Sequence, residues 1–218
     1  MNRYRDRTDA GQALAALLAG RELQRPVVLA LPRGGVPVAA EIARRIGAPL
    51  DLVMVRKIGV PGNAELAVGA VVNGDHPEIV VNDEIARHAR LGREDIERLA
   101  TPELETIARR RGIYLKGRAQ ILLAGRTAIV VDDGIATGAT MRAALKAVAR
   151  QAPLRIILAV PVAAAEALAA LRSEVDEVIC PLVPAFFGAV GAFYDHFEQT
   201  TDAEVIRLMA GSPPDRRP

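Results

Sequence analysis

Two adjacent acids, Asp132 and Asp133, end an apolar run and are followed at once by a segment rich in glycine and threonine. The string TAIVVDDGIATGATMRAALKAV predicts a buried strand, a turn and a helix that begins near Gly138. The start of a helix presents unpaired N–H groups and the positive end of its dipole, and the hydroxyls of Thr137 and Thr140 add donors. This combination suits a phosphate monoester.

Carboxylates at the rim of a phosphate site restrict what the ligand can be. Asp132 and Asp133 would repel a phosphate unless they face sugar hydroxyls or a bound cation. The ligand should therefore be more than a phosphate, and both acids are candidates for contact with a metal ion. A Walker phosphate loop fits less well, because no Gly-Lys-Ser/Thr follows and the loop holds no lysine. An ordinary strand-to-helix turn, with Asp as a helix cap, is the simpler alternative.

Two other segments combine cations with turns. Arg33-Gly34-Gly35 follows the first apolar strand, and an arginine beside free backbone N–H groups forms an anion nest. Taken alone, a glycine turn after a strand is usually only a turn. The pair Arg56-Lys57 ends the next strand and precedes a turn-rich stretch, where it suits an anionic group. A solvated basic pair at a strand end is the alternative.

Short β-branched runs alternate with Ala-rich helical segments, which is the pattern of a parallel sheet. We predict strands at Val27 to Leu31, Leu52 to Val55, Ala67 to Val72, Ile79 to Val81, Ala128 to Val131, Ile156 to Val160 and Val178 to Cys180. We predict helices at Val36 to Ile46, Ala139 to Arg150 and Ala163 to Leu171. The fold class is therefore α/β, with a central, mostly parallel sheet flanked by helices.

The charged stretch 82–118 interrupts this alternation and predicts a helical insertion, broken where Thr101 can cap and Pro102 can open a second helix. We expect one domain over residues 1–210. The ending GSPPDRRP has no apolar periodicity and predicts a disordered tail over residues 211–218.

The overall composition excludes several classes of protein. The net charge is only +2, with 28 basic and 26 acidic residues interspersed, so nucleic acid is not an expected partner. One cysteine, Cys180, excludes an internal disulfide and fits a reducing cytoplasm. No apolar run approaches the roughly 20 residues of a membrane span. His76, His88 and His196 lack the spacing of a zinc site.

Together these segments resemble the type I phosphoribosyltransferases. Residues 130–133, followed by 136–140, look like the family's phosphoribosyl pyrophosphate motif, residues 31–37 like its pyrophosphate loop, and residues 56–65 like the flexible loop of adenine phosphoribosyltransferases. The resemblance implies that the two acids hold the ribose 2′- and 3′-hydroxyls, directly or through metal-bound water. It implies a 5′-phosphate cradle formed by Ala136, Thr137, Gly138, Ala139 and Thr140. It assigns Arg33, Gly34, Gly35, Arg56 and Lys57 to pyrophosphate.

The resemblance also implies a reaction. A ring nitrogen would displace pyrophosphate at the anomeric carbon of phosphoribosyl pyrophosphate, with Mg²⁺ on the pyrophosphate and catalysis by positioning and charge. Glu65 would donate or accept a proton at the base. Some proteins of this fold are instead nucleotide-sensing regulators that bind RNA or DNA, which would usually show a basic face or an added DNA-binding motif. Neither is visible here.

Two features of the sequence concern the acceptor. Some purine-salvage relatives carry an acid at the position of Ala136, so the alanine weakens a hypoxanthine or guanine assignment without establishing adenine. Five of the seven aromatic residues fall between Phe186 and Phe197. Phe187, Phe193 and Tyr194 are therefore candidates to stack on a nitrogen heterocycle such as a purine, in a C-terminal hood over residues 184–200. Core packing is the equal alternative, and a homodimer is left open.

Overall fold

The computed structural model describes residues 3–72, 78–119 and 121–215, without the side chains of residues 64, 65 and 78. In chain order the helices and strands are α1 (Arg7–Leu18), β1 (Val27–Ala30), α2 (Gly35–Ile46), β2 (Leu50–Leu52), β3 (Val55–Val60), β4 (Asn63–Val72), β5 (Glu78–Val81), α3 (Asp83–His88), α4 (Arg93–Leu115), β6 (Thr127–Val131), α5 (Ala139–Arg150), β7 (Arg155–Ala159), α6 (Ala165–Leu171), β8 (Glu177–Ile179) and α7 (Asp202–Ala210). Short 3-10 helices cover Arg172–Glu174 and Val190–Phe193.

Five of the strands form the central parallel sheet, in the order β2-β1-β6-β7-β8. Its middle strands are buried on both faces, which explains their continuous apolar sequence. Val28 and Ile129 belong to the core cluster that includes α1, α2, α4 and α7, whereas Leu29 and Val130 belong to the one that includes α5 and α6. The predicted α/β class, with helices on both faces of a parallel sheet, is confirmed.

Helix α1 was not predicted from the sequence, although its signals are present. Asp6 caps the helix, because its carboxylate accepts a hydrogen bond from the Asp9 N–H at 2.8 Å. Ala10, Leu14 and Leu18 recur on one face and are buried. This face packs α1 against α2, which belongs to the same core cluster.

The structure differs from the prediction after Leu52. The sequence predicted a strand at Leu52 to Val55 and a turn-rich stretch beyond it. The chain leaves the parallel sheet after β2, and a second sheet begins, antiparallel and ordered β3-β4-β5. Arg56 pairs with Val71 and Lys57 with Ala70 across a hairpin that turns at Pro61-Gly62. The basic pair therefore lies within strand β3 and not in a loop.

Residues 82–118 contain helices α3 and α4, and the predicted break at Thr101-Pro102 is wrong. The break lies before α4, where the Gly92 N–H donates to Asp95 Oδ2 at 3.0 Å. Helix α4 continues through Pro102, and the Thr101 hydroxyl donates back to the carbonyl of its own helix at Glu97. Buried Ile96 and Ile107 lie on either side, so tertiary packing offsets a proline cost of roughly 3 kcal/mol.

The described part of the predicted disordered tail lies against the domain. Arg126 donates to both carboxylate oxygens of Asp215, and the two side chains are only 7% and 15% exposed. A buried ion pair of this kind fixes the chain as far as residue 215. None of the helices in the described ranges is long and apolar enough to cross a membrane.

Candidate active site

The strand order brings the two predicted phosphate-binding loops together. The chain passes from β1 to its neighbour β2 on one side, whereas β6, on the other side of β1, leads to β7 in the opposite direction. In open α/β sheets the ligand crevice lies at such a reversal, outside the carboxyl ends of the strands. Here residues 31–35 and 132–138 leave adjacent strands, and the Leu31 N–H donates to the Val131 carbonyl at 2.9 Å.

The glycines of the first loop lie directly against the acids of the second. A Cβ atom added to Gly34 would lie 2.0 Å from Asp133 Oδ2, and one added to Gly35 would lie 2.8 Å from the Val131 carbonyl oxygen and 2.9 Å from the Asp132 Cα. Only glycine allows this approach. The first loop thus serves to bring its backbone close to the acids, in addition to offering N–H groups to an anion.

Asp132 and Asp133 form a close pair of carboxylates with different partners. Asp132 Oδ1 accepts a hydrogen bond from the Asp133 N–H at 2.9 Å, and Asp133 Oδ2 lies 2.8 Å from Arg7 Nε. Burial raises the pKa of both carboxyls, and the charge of Asp133 raises the pKa of Asp132 further. The Arg7 guanidinium opposes the rise at Asp133. The two acids therefore share a dry, crowded site that favours a partner with hydroxyl or cationic groups.

Arg7 is a site residue that the sequence did not reveal. It lies 126 positions before Asp133 and belongs to the unpredicted helix α1. Its Nη1 donates to the Glu198 carbonyl at 2.8 Å, and its guanidinium carbon lies 3.8 Å from the centre of the Phe197 ring. No local motif marks this arginine, because its partners lie in the middle of the chain and toward its C-terminal end.

The predicted phosphate cradle is accessible. Gly138 has a φ of 77°, in the left-handed region, and is the N-cap of α5. The side chains of Ala136, Thr137 and Thr140 are exposed, and the Arg142 N–H makes the first helical bond, to the Gly138 carbonyl at 2.8 Å. The N–H groups that precede it have no partner within the helix, as at any helix start. They form the open, electropositive end of α5.

The predicted pyrophosphate-binding arginines already have acidic partners. Arg33 Nη1 lies 3.3 Å from Asp202 Oδ1, and the Tyr114 hydroxyl donates to the same oxygen at 2.6 Å. That hydrogen bond lowers the pKa of Asp202, while burial and the bond to Asp202 raise the pKa of Tyr114 to about 12. Arg56 donates through Nε to Glu103 of α4. An incoming anion would therefore compete with a carboxylate at both arginines.

Lys57 and Glu65 lie on neighbouring strands of the antiparallel sheet. Lys57 is exposed beside Arg56 on β3. Glu65 belongs to β4, and its side chain is outside the described part of the structure, so its predicted role as proton donor or acceptor stays a prediction.

The aromatic cluster is packed inward. Phe193 and Tyr194 are 1% and 2% exposed, and the Tyr194 hydroxyl donates to the Asp133 carbonyl at 2.6 Å. Phe187 is half-buried and packs on Phe193, with ring centres 5.4 Å apart. The stacking role predicted for Phe193 and Tyr194 does not fit this arrangement, because neither ring presents a free face. The cluster supports the backbone of the acid pair, and the most exposed ring of the segment is that of Phe186.

The Cys180 thiol does not have the environment of an activated nucleophile. Burial raises the pKa of the Cys180 thiol to about 11, so the thiol stays protonated at neutral pH. Within the described ranges, no group of three or more His, Cys, Asp or Glu side chains is arranged to hold a metal ion. A metal ion at Asp132 and Asp133 would therefore take its other ligands from water and substrate.

This architecture defines a class of protein. A family model of the phosphoribosyl transferase domain matches residues 3–196, so the chain belongs to that family. The predicted resemblance is confirmed, and the parallel sheet with its small antiparallel partner is the type I phosphoribosyltransferase fold.

Two proteins are similar to this chain over nearly its whole length. The chain is 43% identical over 209 residues to a Mycobacterium tuberculosis protein that carries the provisional name of a phosphoribosyl transferase. The match covers 96% of this chain and 47% of that relative, so the chain spans about half of its length. The crystal structure of TT1426 from Thermus thermophilus is similar with a TM-score of 0.85 and 43% identity, over 97% of this chain and all of that chain (100%).

A more distant structure shares the fold. A hypothetical protein from Neisseria gonorrhoeae, solved with bound ppGpp, matches with a TM-score of 0.52 and 16% identity over 95% of this chain and 93% of its own. At that identity the similarity concerns the fold alone.

Proposed function

We propose that this chain transfers the 5-phosphoribosyl group of phosphoribosyl pyrophosphate to a nitrogenous base or a related acceptor and releases pyrophosphate. One observation carries the proposal: the largely buried acid pair Asp132 and Asp133 touches the glycine loop 33–35 and is continuous with the open start of α5. A ligand that bridges all three needs a phosphate, a sugar with free hydroxyls and a second anionic group. Phosphoribosyl pyrophosphate has these parts in this order.

Each part of the crevice has a task in this reaction. The N–H groups at the start of α5, with the hydroxyls of Thr137 and Thr140, bind the 5′-phosphate. Asp132 and Asp133 accept hydrogen bonds from the ribose hydroxyls. Their negative charge then stabilises the positive charge that develops on the sugar as the bond to pyrophosphate breaks. The acids are therefore the groups whose contribution grows in the transition state.

The leaving group is assigned to Arg33 of the glycine loop and to the basic pair Arg56-Lys57 of β3. Arg33 and Arg56 are paired with Asp202 and Glu103, so pyrophosphate would compete with these carboxylates for their arginines. Such competition links ligand binding to α4 and α7, the helices that carry the two acids. Lys57 is exposed in the next position of β3, where its side chain points to the opposite face of the strand from Arg56, and it stays the third candidate of the proposed set.

We expect Mg²⁺ to bind together with phosphoribosyl pyrophosphate. The two aspartates supply hard oxygen donors, but the Asp133 Oδ2 atom is engaged by Arg7 and Asp132 Oδ1 by a backbone N–H. These residues fit a cation that keeps much of its water and binds substrate oxygens, which is the usual habit of Mg²⁺. When bound, the ion would neutralise charge on the pyrophosphate.

The test is a reaction with a panel of acceptors. The chain, phosphoribosyl pyrophosphate and Mg²⁺ are incubated with adenine, hypoxanthine, guanine, orotate and other nitrogen heterocycles, and pyrophosphate release is measured. We expect release that depends on one acceptor class and stops when Mg²⁺ is chelated. If calorimetric titration shows no binding of phosphoribosyl pyrophosphate at millimolar concentration, the proposal is wrong. Binding without release for any acceptor would favour the nucleotide-sensing alternative, for which ppGpp is the first ligand to titrate.

Thr140→Val should weaken the binding of 5′-phosphorylated ligands and leave the fold intact. The substitution removes one hydroxyl donor from the exposed cradle, so the affinity for ribose 5-phosphate should fall about tenfold, as for one hydrogen bond to a charged group. Thr101→Val is the matched control, because its hydroxyl bonds only to its own helix at Glu97. The affinity of both variants for ribose 5-phosphate is measured by calorimetry. If Thr140→Val binds as tightly as the wild type, Thr140 does not belong to the phosphate site.

The proposal includes a cytoplasmic location, in keeping with a single thiol and with substrates of nucleotide salvage. A homodimer stays a prediction.

A further inference from the structure

The N-terminal helix sends one basic side chain into the acid pair Asp132 and Asp133. Arg7 Nε lies 2.8 Å from Asp133 Oδ2, and the two side chains are only 12% and 15% exposed. A buried carboxylate is costly unless it is paired, and a pair this dry is screened little by solvent. The contact therefore affects the acid pair far more than an ion pair at the surface would.

The guanidinium is held on three sides. Besides Asp133, it contacts the Glu198 carbonyl at 2.8 Å and lies 3.8 Å above the Phe197 ring. Phe197 in turn stacks on Tyr194, with ring centres 4.8 Å apart, and the Tyr194 hydroxyl donates to the Asp133 carbonyl. These contacts close a ring from Arg7 back to Asp133, so the arginine has little freedom to turn away.

The contact fixes which carboxylate oxygens face a ligand. Asp133 Oδ2 is taken by Arg7, and Asp132 Oδ1 is taken by the Asp133 N–H. In the proposed function, hydrogen bonds from the ribose fall to the remaining oxygens of the two carboxylates, which also interact with each other. Gly34 lies against the Asp133 carboxylate on another side, which further limits its rotation.

The charge of Arg7 matters as much as its geometry. Two carboxylates in one dry crevice would strongly repel a ligand that carries several phosphate charges. Arg33 and Arg56 are engaged by Asp202 and Glu103, so their charges are partly offset before a ligand arrives. Arg7 offsets the charge of the acid pair itself.

We propose that Arg7 is a positioning residue of the phosphoribosyl site, which orients the Asp133 carboxylate toward the ribose and lowers its repulsion of the phosphates. The inference rests on the proposed function. It assigns a substrate-site role to the N-terminal helix α1, through an arginine that itself need not touch the substrate.

The test is a double-mutant cycle of Arg7→Gln and Asp133→Ala, read as calorimetric affinity for phosphoribosyl pyrophosphate with Mg²⁺ and as turnover. If Arg7 acts through Asp133, Arg7→Gln should weaken affinity about tenfold or more in the wild-type background and by less than about threefold in the Asp133→Ala background, where no side-chain oxygen is left for Arg7 to contact. Arg7→Lys keeps the charge and should recover part of the loss. Arg5→Gln is the matched control, since Arg5 is 67% exposed and pairs with Asp6 and Asp9.

Each outcome has a separate meaning. Equal losses in both backgrounds would show a general structural role and overturn the inference, even if the thermal midpoint also falls. Unchanged affinity and turnover in Arg7→Gln would overturn it as well. A wild-type chain that binds no phosphoribosyl pyrophosphate would reject the proposed function, and with it the inference. Loss of affinity confined to the wild-type background supports both.

Discussion

Asp133→Asn should lower turnover at least about 100-fold while it changes the affinity for phosphoribosyl pyrophosphate much less. Asparagine keeps the size of the side chain, and its amide oxygen can still accept from Arg7 at the position of Asp133 Oδ2. The fold should therefore survive. What is lost is the negative charge, which matters most when positive charge develops on the ribose.

The measurement separates the turnover number from the dissociation constant of the first ligand. Asp195→Asn is the matched control, because Asp195 is 56% exposed and forms a surface ion pair with Arg3. We expect it to behave as the wild type. An Asp133→Asn variant that loses affinity alone, with its full turnover number, would contradict the charge-stabilising role.

Gly34→Ala should be comparably damaging, although it adds a single methyl group. The new Cβ would lie 2.0 Å from Asp133 Oδ2 and 2.6 Å from its Cγ, and non-bonded atoms do not approach each other so closely. Asp133 cannot simply swing aside, because Arg7 holds it. Either the carboxylate or the loop must move by about 1 Å, and such a displacement can cost about 100-fold in rate. We also expect a loss of about 1–3 kcal/mol in the free energy of unfolding, as for overpacking.

Two variants make the Gly34 prediction specific. Gly112→Ala, in helix α4 with no atom within 4 Å of the added Cβ, should retain activity and gain up to about 1 kcal/mol. Gly34→Ala in an Asp133→Ala background should lose little further stability, because the clashing carboxylate is absent. If Gly34→Ala is as stable and active as Gly112→Ala, the two loops are not in contact in solution.

The local parts of the site are written in contiguous sequence. The acid pair and the Gly- and Thr-rich cradle lie within a single string, so a strand, a turn and a helix start suffice to identify them. The alternation of apolar strands and Ala-rich helices predicted the α/β class for the same reason, since each element buries a periodic face of its own. The strand before the acids and helix α5 were predicted at nearly the bounds observed.

Two expectations failed where distant packing competes with local signals. Pro102 lies inside α4 because buried neighbours such as Ile96 and Ile107 hold that helix together. The basic pair Arg56-Lys57 lies in a strand because Val71 and Ala70 pair with it from across the hairpin. A local reading of either segment had no access to these partners.

By itself the sequence determined the proposed kind of ligand, the loops assigned to it and the class of fold, because these depend on residues that are neighbours along the chain. Only the tertiary structure decided that the glycine loop touches the acids, that Phe193 and Tyr194 face inward, and that Arg7 reaches Asp133 across 126 positions. The physical reason is the same in each case. Burial and ion pairing act between whichever groups the folded chain brings together, and for these groups that depends on the order of strands in the sheet and the packing of both chain ends.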